Sequence, residues 1–167
     1  MAVTREKKAE VLSKLKDIFS RVNTAVFVNF HGLSVGDTSE MRRTLHGEQV
    51  SYYVAKKTLI KRSLDEAGFP GEMPSLPGEV AIVYPTDAES DDVTAPARGV
   101  HAFEKKFDGR VAILGGIFEK IFRGKEGMLE IATIPSLGTL RGMFVNVINS
   151  PIQGLVVALA AIAEKKE

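Results

Sequence analysis

Four cations crowd into one stretch, Lys56-Lys57-Thr58-Leu59-Ile60-Lys61-Arg62. Read as a helix, Lys57 and Lys61 stand one turn apart and share a face, with Thr58 beside Lys61 and Arg62. Like charges at that spacing repel by roughly a few tenths of a kcal/mol unless an anion lies across them. Lys56, Lys57 and Thr58 also fall in the N-terminal turn, where unsatisfied backbone N–H groups and the helix dipole favour phosphate and the Thr58 hydroxyl adds a donor. Two readings fit these residues: a phosphate-contact site, and a solvated basic face.

The residues for catalysis do not assemble. The three histidines, His31, His46 and His101, include no pair at metal-ligand helix spacing. The chain has no glycine-rich dinucleotide fingerprint, no phosphate-loop lysine and no nucleophile elbow. Asp91-Asp92 sits in an acidic stretch without a partner set, and a tight turn accounts for Gly115-Gly116. Cysteine is absent, which excludes disulfides and thiolate-bound zinc or iron–sulfur clusters and suits a reducing cytoplasm. No catalytic residue, metal or cofactor is assigned. A small α/β enzyme or nucleotide-binding domain remains the alternative reading.

A net charge of +1 over 167 residues conceals a strong asymmetry. Residues 1–64 hold 12 Lys/Arg against 6 Asp/Glu, residues 65–104 hold 1 against 9, and residues 105–167 hold 9 against 6. A basic first third beside an acidic middle is the layout of a molecule with one face toward a polyanion, and chance clustering on a solvated surface is its rival. With 44% apolar and 26% charged residues the chain is that of a folded protein. Met1 to Lys8 lack the apolar core of a secretory signal.

The elements that would position these residues follow from periodicity. Residues 4–20 predict a helix capped by Thr4, with Val11, Leu12, Leu15, Ile18 and Phe19 on one face and Arg5, Lys8, Lys14 and Lys16 away from it. Thr24 to Phe30 is β-branched and aromatic, so a strand buried on both faces. Ser34, with Asp37 three residues on, caps a helix through Met41, Leu45 and His46. Further strands are expected at 50–54, 80–84 and 111–114, the last ending at Gly115-Gly116, and further helices at 56–67, stopped by Gly68, at 97–107 and at 126–132. Residues 68–79, rich in Pro and Gly, predict a loop. The expected fold is therefore an α/β (α+β sandwich) domain of about four strands flanked by helices over 1–134, followed by a projecting helical segment over 135–167.

That last segment has a different character. After Ile134-Pro135-Ser136 come two apolar stripes, Leu137, Leu140, Phe144, Val147 and Ile148, then Ile152, Leu155, Val156, Leu159 and Ile162. Pro151 between them is suited to the first turn of a new helix. No charge occurs between Arg141 and Glu164, so a helix here has no face fit for water. Three kinds of cover are open: the domain's own core, a membrane, or partner proteins. A membrane span needs about 20 mostly apolar residues, and here the unbroken run is Leu155 to Ala163, with Asn146, Asn149, Pro151 and Gln153 upstream. A final helix begun at Pro151 would be about 25 Å long, room for two short partner sites rather than three.

An ordered set of segments along the chain resembles the bacterial large-subunit ribosomal protein L-ten family, the stalk-base proteins. The segments are Thr4-Arg5-Glu6-Lys7-Lys8, Phe30-His31-Gly32-Leu33-Ser34-Val35, Met41-Arg42, Val54-Ala55-Lys56-Lys57-Thr58-Leu59 and Gly115-Gly116, then Ile131 to Ser136 and Ser150 to Val156. Departures are Lys57 where the family has Asn, Ile131 and Ile134 for leucines, and a reordered Pro77-Gly78. The resemblance implies a non-enzymatic scaffold of the cytoplasmic ribosome. Its N-terminal domain would bind large-subunit ribosomal RNA beside the L-eleven protein through Arg5, Lys8, Arg42, Lys56, Lys57, Thr58, Lys61 and Arg62. Its tail would dock dimers of the L-seven/L-twelve stalk protein, which recruit translational GTPases, through Ile152, Leu155, Val156, Leu159 and Ile162. The family is also linked to repression of its own messenger, and no membrane is implied.

Overall fold

The computed structural model describes residues 5–87, 92–107 and 109–165, the Arg5 side chain excepted. The cap expected at Thr4, and Asp91 of the acidic pair, lie outside the described residues. Contacts divide the chain into two compact units, 1–134 and 135–167.

In the first unit the elements run α1 (Arg5–Arg21), β1 (Ala25–Phe30), α2 (Val35–Gly47), β2 (Val50–Val54), α3 (Lys57–Ala67), β3 (Val80–Pro85), α4 (Ala95–Lys106), β4 (Val111–Phe118), β5 (Ile121–Gly124) and α5 (Lys125–Thr133). The strands form one sheet in the order β2-β3-β1-β4-β5, with every pairing antiparallel. Alternation of side chains along a strand sorts β1 between two cores. Ala25 and Phe27 pack with Leu15 and Phe19 of α1 and Ile60 and Leu64 of α3. Val26 and Val28 pack with Met41 and Leu45 of α2, with Val100 and Phe103 of α4 and with Met128 of α5. Helices thus cover both faces of the sheet, and the run TAVFVNF is buried from Thr24 to Val28, with Asn29 and Phe30 half-buried.

Local chemistry sets the ends of the elements. Ser34 Oγ accepts from the Asp37 N–H at 3.1 Å and opens α2. Gly68, at φ 65°, stops α3 in the left-handed conformation that glycine adopts without strain. The helices expected at 97–107 and 126–132 are α4 and α5, displaced by one or two residues at their ends.

The sheet has five strands rather than about four. The fourth runs past Gly115-Gly116 to Phe118 and returns as β5 through Glu119 and Lys120, whose φ angles are 52° and 62°. A two-residue hairpin turn of that kind is normally marked by Asn-Gly, because an L side chain in left-handed backbone costs roughly 1–2 kcal/mol. Glu-Lys carries no such mark, so β5 was not legible. The glycine pair is not a turn. It lies inside β4, where the ladder to β1 shifts register between Phe27 and Val28. A Cβ on Gly115, at φ 148°, would sit 2.8 Å from the Arg123 carbonyl, and one on Gly116 would sit 2.5 Å from the Ala25 carbonyl. The residues are glycines because two neighbouring backbones come too close for a side chain.

The second unit is one helix, α6 (Leu137–Glu164), 28 residues long. Ser136 Oγ caps it by accepting from the Thr139 N–H at 3.4 Å. The two helices expected on either side of Pro151 are a single element. An interior proline removes one hydrogen bond, here the one owed to the Val147 carbonyl, and costs about 3 kcal/mol. It does not end α6, whose second half is rich in Ala and Leu, the strongest helix formers. At 1.5 Å per residue the helix is about 42 Å long rather than 25 Å, so length no longer favours two partner sites over three.

Candidate nucleic-acid interface and docking helix

At the start of α3, Lys56 is the N-cap residue, with extended backbone at φ −63° and ψ 127°, and no side chain caps this end. Its carbonyl accepts from the Leu59 N–H at 2.8 Å and the Ile60 N–H at 3.1 Å. Lys57 and Thr58 follow in the first turn. Ile60, Ser63 and Leu64 bury the inner face of the helix, which leaves Lys56, Lys57, Thr58, Lys61 and Arg62 exposed together. Among the described residues, no carboxylate lies within ion-pair distance of Lys56, Lys57 or Lys61.

Arg62 differs from the lysines. Its Nε donates to Glu66 Oε1 at 3.2 Å, while Lys16 Nζ of α1 reaches Glu66 Oε2 at 2.6 Å. The hydrogen bond from Lys16, then that from Arg62, holds the Glu66 carboxyl below its usual range. The carboxylate ties α1 to α3 and already occupies one cation of the expected RNA-facing set. Lys8 is exposed on α1, eight residues and about 12 Å along the helix from that tie. The Arg5 side chain lies outside the described residues. Among the described residues, no side-chain hydrogen bond or ion pair joins Lys8 to the α3 cluster.

Arg42 lies on α2, across the sheet from α3, with its guanidinium carbon 5.2 Å from the centroid of the Tyr52 ring. Tyr52, on edge strand β2, meets Phe30 edge to face at 6.3 Å. Its hydroxyl is buried with no hydrogen-bond partner among the described residues, and burial above all, opposed by Arg42 and aided by Glu79, pushes its pKa up to about 12. The ring is therefore neutral at any physiological pH. Phe30 in turn lines an open cleft with Val54, Ala55, Lys56, Lys57 and Glu79. Sequence reasoning missed this aromatic bridge between Arg42 and the lysines, because β1 and β2 are adjacent to β3 and not to each other in the sheet. Only the antiparallel order brings Phe30 and Val54 to the same end.

Along α6, no residue is buried. Ile152, Leu155, Val156, Leu159 and Ile162 are each between 56% and 62% exposed. Because the helix is continuous, the upstream stripe falls into phase with them. Leu137, Leu140, Phe144 and Ile148 lead into Ile152, Leu155, Leu159 and Ile162 at steps of three and four residues, one face from end to end. Among the described residues, the two buried clusters of the first unit contain no residue of α6. By length and composition α6 is also long and apolar enough to cross a membrane.

Comparison with known proteins bears on both surfaces. Residues 3–105 match the family described as Ribosomal protein L10, and residues 134–167 match the Ribosomal protein uL10 C-terminal region. Large ribosomal subunit protein uL10 of Lactobacillus acidophilus is 34% identical over 158 residues, which cover 92% of this chain and 91% of that protein. The chain belongs to the ribosomal protein L10 family and is a component of the large subunit of the cytoplasmic ribosome, not an enzyme.

Proposed function

We propose that the first unit binds large-subunit ribosomal RNA beside the L-eleven protein and that α6 docks dimers of the L-seven/L-twelve stalk protein, so that the chain holds the GTPase-recruiting stalk on the ribosome. The observation that carries this reading is α6 itself. A helix that exposes large apolar side chains along its whole length, with no charge between Arg141 and Glu164, is stable in water only when something covers it. In a ribosomal protein that cover is other protein. The phase of the stripe supports a groove-binding mode, in which one helical face supplies the anchors.

For the first unit, Lys56, Lys57 and Lys61 support phosphate binding, being exposed, mutually repelling and without an internal carboxylate among the described residues. Arg42, Lys8, Arg5 and Thr58 complete the proposed RNA-facing set. Arg62 is its weakest member, since reaching a phosphate means giving up Glu66.

The test is the salt dependence of RNA binding. Each phosphate contact adds about 0.7 to 0.9 to the slope of log K against log salt. Neutralising Lys57 and Lys61 together, as Lys57→Ala with Lys61→Ala, is expected to weaken binding and lower that slope by roughly 1 to 2. Neutralising Arg62 alone should lower it by less than either lysine. A double variant with the wild-type slope would show that these lysines face solvent in the complex.

A further inference from the structure

We propose that the cleft at the end of β1 and β2 holds one unpaired base of the bound RNA, stacked on Phe30. The inference rests on the reading that the first unit binds RNA, and it adds a base-recognition site to the phosphate contacts.

The cleft has a volume of about 490 Å³ and is built from two chemistries. Inside are the half-buried Phe30 ring, the Ala55 methyl and Val54, which is 42% exposed although it belongs to a strand. At the rim stand the exposed Lys56 and Lys57. An occupant that satisfies both presents a flat apolar face to the interior and an anion to the lysines a short distance away. A nucleotide does this within a single residue. Recognition of RNA commonly takes this form, with an unpaired base splayed onto an aromatic ring while its backbone is neutralised alongside.

The ring is held ready for that role. Tyr52 packs edge to face against Phe30, and the Arg42 guanidinium lies over Tyr52, so a cation and two rings form a ladder that fixes the orientation of Phe30 before any ligand arrives. Glu79 is the one acidic residue in the lining. A carboxylate accepts hydrogen bonds and donates none, so it pairs with an exocyclic amino group and not with a carbonyl edge. Guanine, adenine and cytosine offer such a group and uracil offers its ring N3–H, so Glu79 can accept from any of the four bases.

The experiment uses the full chain and fragments of the source organism's large-subunit RNA, in which each unpaired nucleotide is replaced in turn by an abasic one. One position is expected to lose affinity roughly 5- to 150-fold when abasic, the range of a single base–aromatic stack. Phe30→Leu should lose a similar factor against intact RNA, keep the wild-type salt slope, and become indifferent to the abasic change. Val54→Asp, which places a carboxylate in the cleft without touching the ring, should behave like Phe30→Leu, and thermal melts of both variants report whether they fold. If the wild-type chain binds RNA but no abasic position couples to Phe30 or Val54, the cleft is not a base site and the RNA-binding reading stands. If the wild-type chain binds none of the fragments, the RNA-binding reading fails and the cleft proposal falls with it.

Discussion

Leu155→Asp combined with Leu159→Asp is expected to weaken binding of the stalk protein at least 100-fold while leaving RNA affinity and the melting temperature of the first unit unchanged. Both leucines sit in the middle of the apolar face of α6, more than half exposed in the free chain. In a helix-in-groove contact such anchors carry most of the binding energy, and the small residues around them mainly exclude water. Ala158, Ala160 and Ala161 are of the second kind. An unpaired carboxylate placed in a dry contact costs several kcal/mol, more than the lost packing alone. Titration calorimetry with the stalk protein and circular dichroism on the same sample separate the two possible failures. Normal binding by the double variant would mean that this face does not dock. Loss of the first unit's fold would mean that α6 supports it.

The second large effect lies within the sheet. Gly116→Val is expected to destabilise the first unit by at least about 3 kcal/mol, a drop in melting temperature of roughly 10 °C or more. The reason is contact and not backbone strain. A Cβ at this position would lie 2.5 Å from the Ala25 carbonyl oxygen of β1 and 3.0 Å from Met128 Cε of α5. Neither neighbour can withdraw easily, since β1 is the central strand and Met128 is fully buried. Gly127→Ala is the control. There the added methyl meets only Arg123 side-chain atoms at 3.7 and 3.8 Å, on a helix, and alanine should raise stability by about 0.5 to 1 kcal/mol. A Gly116→Val protein melting within a degree or two of wild type would show that β1 and β4 do not approach this closely.

What the sequence makes legible follows the strength of its local signals. Helices α1, α2 and α3 announce themselves through buried faces at helical spacing, the Ser34 cap and the Gly68 stop, and the structure realises each. The central strand is read from a β-branched and aromatic run, buried from Thr24 to Val28 because both of its faces are covered. What escapes is whatever depends on partners distant in sequence. Gly115-Gly116 looks like a turn in isolation, and only the register with Ala25 shows it to be a close approach of strands. The β5 strand is four residues behind a turn with no turn residues. Pro151 reads locally as a break between two helices, yet α6 runs through it.

The candidate site divides in the same way. The lysines of α3 are visible in the sequence because charge and spacing are local properties. The Arg62–Glu66 pair stands at i,i+4 spacing and was legible but missed, whereas the second cation on that carboxylate, Lys16, comes from another helix and was hidden. The ladder of Arg42, Tyr52 and Phe30 is likewise invisible until α2, β2 and β1 are assembled. On α6 the anchors from Ile152 to Ile162 can be read from their period. The alignment of the upstream stripe with them depends on the helix being unbroken, and so appears only in the structure.

The central claim is a division of labour: one unit for RNA and one helix for the stalk. The most direct test is to produce residues 1–134 and titrate both that fragment and the full chain with large-subunit RNA and with the stalk protein. The two cores of the first unit draw no residue from α6, so the fragment should melt cooperatively and bind RNA with the affinity of the full chain. It should show no binding of the stalk protein at concentrations that saturate the full chain. A fragment that is molten, or one that still binds the stalk protein, would contradict the account.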